Sequence, residues 1–107
     1  MAEHALEIER LEALDQALPL SFVKQALLQS TLDMIESHLI EFKAQSATEL
    51  GANCMPVGVV AVVASWNLSL KTILSRVVPA LLAGNTVVVK VSSQSPASAL
   101  VLGRMLE

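Results

Sequence analysis

The spacing of apolar and polar positions changes several times along this chain, and each change predicts a different element. Between residues 3 and 18, Ile8, Leu11, Leu14 and Leu18 recur at helical spacing on one face. Glu7, Arg10 and Glu12 fall elsewhere, so a first amphipathic helix is expected. Pro19 interrupts it, because proline lacks an amide donor and its ring clashes with the preceding turn. Ser21 can cap a second, longer helix running to about Ala47 or Leu50. There Leu28, Leu32, Ile35, Leu39 and Phe42 form an apolar stripe expected to pack on a sheet or on the first helix. Gly51-Ala52-Asn53 breaks that period, and Pro56 precedes a different pattern. Residues 57–64 are apolar without alternation, which predicts a strand buried on both faces. A helix is expected from about Ser69 to Ala83, with Pro79 as a point of kinking and Gly84-Asn85 as its stop, since glycine takes the left-handed conformation at little cost. A second strand follows at 86–91, and Ser95-Pro96 opens a last helix as cap and first-turn proline.

Strand, helix, strand, helix is the repeating unit of a parallel α/β sheet. The expected division is a helical segment over 1–54 and the β-α-β-α unit over 55–107. Ligands of open sheets of this kind bind beyond the carboxyl ends of the strands. Those ends carry Trp66 with Asn67, and Lys90. An indole, a carboxamide and an amine are thus expected on one edge, which points to a nucleotide-linked enzyme.

Composition narrows this reading. The chain has 107 residues, enough for one small domain and too few for a two-domain enzyme. Hydrophobic residues make up 53%, with no Tyr, two Phe and one Trp, so the core is built of Val, Leu and Ala. Residues 1–54 hold nine acids and three bases, and residues 55–107 one acid and four bases. The second half is therefore the better place for an anionic ligand. Four scattered bases do not make a nucleic-acid surface, which needs a clustered patch. Cys54 is the only cysteine, so there is neither an internal disulfide nor a metal-site spacing. His4 and His38 lie in polar helical surroundings and are expected at the surface. The longest apolar run is too short to span a bilayer, and the acidic N-terminus lacks a signal-peptide core, so the expected location is cytoplasmic. No glycine-rich phosphate loop is present.

The stretch P-V-G-V-V-A-V-V-A-S-W-N-L-S-L, followed by P-A-L-L-A-G-N-T-V-V-V-K-V-S-S-Q-S-P-A-S-A, resembles the NAD(P)-dependent aldehyde dehydrogenases. The similar region is under half of the chain. The resemblance implies a Rossmann-like fold, here the first half of a cofactor domain, with NAD or NADP as cofactor and an aldehyde as substrate. It implies that Asn67 matches the asparagine whose amide steadies the oxyanion formed when a cysteine thiolate attacks the aldehyde. It implies that Lys90 holds the adenosine ribose hydroxyls, and that Trp66 and the backbone around Ala64 and Ser65 line the ribose and phosphate path. Other readings stay open: Asn67 as a helix cap, Lys90 as an ordinary strand-end charge, and Trp66 as buried hydrophobic filler.

The chain also departs from the family pattern. Ser65 and Ser69 stand where prolines flank the Trp-Asn pair, which is expected to loosen that turn. Ser93 stands where many members carry a glutamate that accepts from the ribose 2′-hydroxyl, so tolerance of a 2′-phosphate, hence of NADP, is expected. The family's nucleophilic cysteine and general-base glutamate lie downstream of this region, as does the glycine turn of the second half-sheet. The β-ribbon that serves oligomer formation is also missing between the helices and the first strand. These 107 residues alone are therefore not expected to oxidise aldehydes. Cys54 precedes the first strand and is expected at the amino edge as a small buried or partly buried thiol, opposite the cofactor crevice. Two readings follow: a fragment or truncated member of a dehydrogenase, or a non-catalytic binding or assembly module. In either, exposed sheet edges are expected to drive self-association or to require a partner that completes the sheet.

Overall fold

The computed structural model describes residues 2–46 and 54–105, which form four helices and two strands. Helix α1 spans Ala2–Asp15. After Pro19 the chain re-enters helix at Leu20–Phe22, passes through a π-helical segment at Val23–Leu28, and continues as Gln29–Ser46. These three pieces form one rod, α2. Strand β1 (Val59–Val63) is followed by α3 (Ser69–Leu82), β2 (Thr86–Lys90) and α4 (Ala97–Met105). The break expected at Gly51-Ala52-Asn53, and the end of α2 beyond residue 46, lie outside the described residues.

The two strands pair in parallel, from Val59 opposite Thr86 to Val63 opposite Lys90. The parallel arrangement follows from the crossover helix α3, because a tight turn can join only antiparallel neighbours. The fold is thus α/β, with N-terminal helices ahead of a Rossmann-like β-α-β-α unit. The α3–β2 junction works as the sequence predicts. Gly84 has φ +80, its amide donates to the Leu81 carbonyl at 2.9 Å, and the Asn85 amide donates to Ala80 at 3.0 Å. Those two bonds satisfy the last carbonyls of the helix. The Asn85 side chain then accepts the Gly58 amide at 2.9 Å, tying the end of α3 to the entry of β1. Pro79 is accommodated within α3.

The core lies on one face of the sheet. Val62, Ala64, Ile73 and Val77 form its centre, with Val60, Val87, Val91, Ala99 and Leu102 packed around them. A second cluster of Ile8, Leu70 and Val101 seats α1 against α3 and α4, and Leu102 touches both clusters. Each such side chain contributes about 1.5–3 kcal/mol when fully buried.

Four expectations are corrected. The strands are covered on one face only: Val62 is 3% exposed, whereas Val59 and Val63 are 70% and 71% exposed. The helices cover a single side, so the continuous apolar run does not imply two buried faces among these residues. In α1, Glu12 lies on the buried face at 0% exposure, while Leu14 is 76% exposed. Glu12 follows Ile8 by four positions and therefore shares its side of the helix. In α2 the buried line runs through Val23, Leu27 and Thr31, one position before the predicted Leu28 and Leu32, and Leu32 is 60% exposed. The wide turns of the π segment shift the side chains away from a uniform 3.6-residue period. Ser21 also does not cap α2; Pro19 occupies that position, without a side-chain bond.

Candidate functional site

The strand register builds the candidate site. Val63 lies opposite Lys90, and the Ala64 amide donates to the Lys90 carbonyl at 3.0 Å, so both strands end together. From there the chain leaves β1 through Ser65, Trp66 and Asn67, and leaves β2 through residues 91–93. The two exits share the carboxyl edge of the sheet, where ligands of parallel α/β folds sit.

The side chains along this edge differ in what they have free. Ser65, Trp66 and Asn67 are exposed, the indole side at 52%, so Trp66 is not core filler. The Asn67 carbonyl accepts the Thr72 hydroxyl at 3.2 Å. Helix α3 begins after Leu68 without a side-chain cap. The Asn67 carboxamide therefore does not cap α3, and among the described residues it makes no hydrogen bond. The Lys90 amine donates to the adjacent Val91 carbonyl at 3.0 Å and forms no ion pair among the described residues. Ser93 is exposed. Ala64 is different: it is 5% exposed, its methyl belongs to the core and its amide to the sheet.

Behind the edge lies a polar cluster that the sequence did not reveal. Glu12 Oε1 accepts the Ser69 hydroxyl at 2.9 Å, the Leu70 amide at 3.0 Å and the Ser98 hydroxyl. The Ser69 hydroxyl also lies 3.1 Å from that of Ser95. Gln16 donates to the other Glu12 oxygen and accepts the Leu68 amide at 2.8 Å. Asp15 accepts the Ala97 amide at 2.8 Å. The last turns of α1 thus supply acceptors to the amino ends of both α3 and α4, where unpaired amides and the helix dipole favour a carboxylate. The available signal was the spacing of Ile8, Glu12 and Gln16, which places two polar residues on the buried side.

Away from this edge, Cys54 is exposed rather than buried, because residues 54–58 run over the surface before β1. It lines a shallow pocket with Leu82 and Gly84, at the amino edge of the sheet. The His38 ring is 3.9 Å from the Glu41 carboxylate on the partly exposed side of α2. An apolar groove of about 480 Å³ runs between α3, β2 and α4, bordered by Ile73, Val89 and Leu102. It lacks converging polar side chains and lies apart from the Trp-Asn turn. Among the described residues, no group of His, Cys, Asp or Glu is placed to hold a metal ion, and no helix is long and apolar enough to cross a membrane.

Comparison with known proteins accounts for this layout. The chain is 32% identical to 3,6-anhydro-alpha-L-galactose dehydrogenase of Streptomyces coelicolor, over 98% of this chain and 23% of that protein. It is 32% identical to aminoacetaldehyde dehydrogenase of Pseudomonas aeruginosa, over 94% of this chain and 22% of the relative. It is 33% identical to the succinate-semialdehyde dehydrogenase [NADP(+)] of Escherichia coli, over 98% of this chain and 23% of the relative. No solved structure matches the chain. The chain spans under a quarter of the length of these curated relatives. A family model described as the aldehyde dehydrogenase family matches residues 1–107. With its whole length matched, this chain belongs to the aldehyde dehydrogenase family.

Proposed function

We propose that this chain is a segment of an NAD(P)-dependent aldehyde dehydrogenase, contributing the oxyanion amide and the adenosine-side amine. The observation that carries the reading is the shared carboxyl edge, where among the described residues the Asn67 carboxamide makes no hydrogen bond and the Lys90 amine forms no ion pair, donating to the Val91 carbonyl alone. The edge fits a dinucleotide. Among the described residues the Lys90 amine reaches only its own strand end, and Ser93, three positions on, is exposed. Trp66 supplies an exposed aromatic face, and Ser65 a small neighbour.

In the complete enzyme, the bound cofactor supplies a hydride acceptor. The work of this chain is to bind and to orient. Lys90 donates to ribose hydroxyls as a compact point charge. The Asn67 amide donates to the oxygen that becomes negative when a thiolate from elsewhere in the enzyme adds to the aldehyde. A neutral amide suits that task, because it stabilises developing charge without moving a proton, and loss of one such donor raises the barrier by about 2.7–4 kcal/mol. The names of the relatives support aldehydes as the substrate class. Among the described residues no carboxylate pairs with Lys90, and the Escherichia coli relative is named for NADP(+), so we extend the cofactor range to NADP. The loosening expected of the turn does not extend to Ser69, whose hydroxyl is buried and bonded to Glu12.

Replacing Asn67 by Ala in the full-length dehydrogenase that contains this segment is expected to lower kcat by about 10²–10³-fold with KM for the cofactor little changed. An unaltered kcat would remove Asn67 from the reaction.

A further inference from the structure

We propose that Glu12 of α1 and Gln16, in the turn just after it, are positioning residues for the turn that carries Asn67, acting through Leu68, Ser69 and Leu70. The inference rests on the reading of Asn67 given above. A ligand-facing carboxamide has to be held in one direction, yet residues 64–69 include neither proline nor glycine to restrict or relieve the backbone. The turn nonetheless passes through the left-handed region at Leu68, with φ 48 and ψ 51. A leucine adopts that conformation at a cost, and keeps it only where the surroundings enforce it.

The enforcing groups come from 52 to 58 residues earlier in the chain. Gln16 Oε1 accepts the Leu68 amide at 2.8 Å. Glu12 Oε1 accepts the Ser69 hydroxyl at 2.9 Å and the Leu70 amide at 3.0 Å. The three residues that follow Asn67 are therefore each bonded to α1 or to the turn just after it. The two acceptors are also bonded to each other, through the Gln16 amide and the second Glu12 oxygen. Ser98 of α4 ties the same carboxylate from another side, and Glu12 has no exposed surface. A buried acceptor with several donors cannot shift without leaving them unsatisfied, so it acts as a fixed point. The Asn67 side chain has no hydrogen bond of its own among the described residues, and its direction follows from the backbone set at 68–70.

Gln16→Met keeps the side-chain length and removes the acceptor. In the full-length dehydrogenase that contains this segment, hydrogen exchange at the Leu68 amide, read by mass spectrometry of its peptides, is expected to accelerate by about tenfold or more. Peptides covering Val62 and Ile73 should keep their protection. Unchanged exchange at Leu68 overturns the proposal. Loss of protection at Val62 and Ile73 together with Leu68 also overturns it, since Gln16 would then hold the fold as a whole and not the turn. No aldehyde enters this experiment, so its failure leaves the role of Asn67 untouched. Conversely, an Asn67→Ala enzyme of unaltered kcat removes that role without changing the exchange result.

Discussion

Gly84 shows how much one residue can settle when two independent constraints meet on it. Its φ of +80 favours glycine, and a Cβ there would approach Pro56 Cγ to 3.0 Å. Gly84→Ala is therefore expected to destabilise the chain by about 1–3 kcal/mol, read as a lower denaturation midpoint with an unchanged slope. A midpoint equal to that of the parent would show that the junction is not constrained as described. Gly84-Asn85 was legible because helix stops have a local chemical signature that needs no knowledge of neighbours. Glu12 was not legible, because a lone carboxylate in an acidic helix reads as solvated surface. Only the arrival of two helix amino ends, from far along the sequence, makes its burial favourable. Ser69 is illegible for the same reason: where proline would stiffen the turn, its hydroxyl is held by the Glu12 cluster.

At the scale of elements, order and type were readable and faces were not. Both strands and α3 lie close to where periodicity and punctuation put them. Burial failed for β1 because an unbroken apolar run reports what a strand can tolerate, and not what covers it. The outer face leaves Val59 and Val63 of β1 and Val88 of β2 each more than 60% exposed. Both edges of the two-stranded sheet also lack a strand neighbour among the described residues. Such surfaces favour association. The 107-residue chain is expected to self-associate at micromolar concentration, and Val63→Lys to shift it toward monomer by light scattering. A parent chain that is monomeric at that concentration would contradict the expectation. In α2 the apolar stripe was visible but out of phase, because a π segment leaves no clear mark on residue spacing.

For the molecule as a whole, the first 46 residues and the β-α-β-α unit are joined chemically as well as by packing. Glu12 and Asp15 of α1 and Gln16 just after it accept amides at the amino ends of α3 and α4. The family was legible in the Trp-Asn and Gly-Asn…Lys spacing, and the match of all 107 residues extends it to the helices, which alone would not identify it. On the proposed function, the carboxyl edge of the parallel pair receives the dinucleotide through Lys90. The most direct measurement is a titration of the isotope-labelled chain with NADP and with NAD, followed by amide chemical shifts in the parent and in Lys90→Met. Shifts confined to residues 64–67 and 90–93, comparable affinity for both cofactors, and loss of the response in Lys90→Met are the predicted result. Shifts centred on the amino edge around Pro56 and Gly84, or a response that survives Lys90→Met, would contradict it.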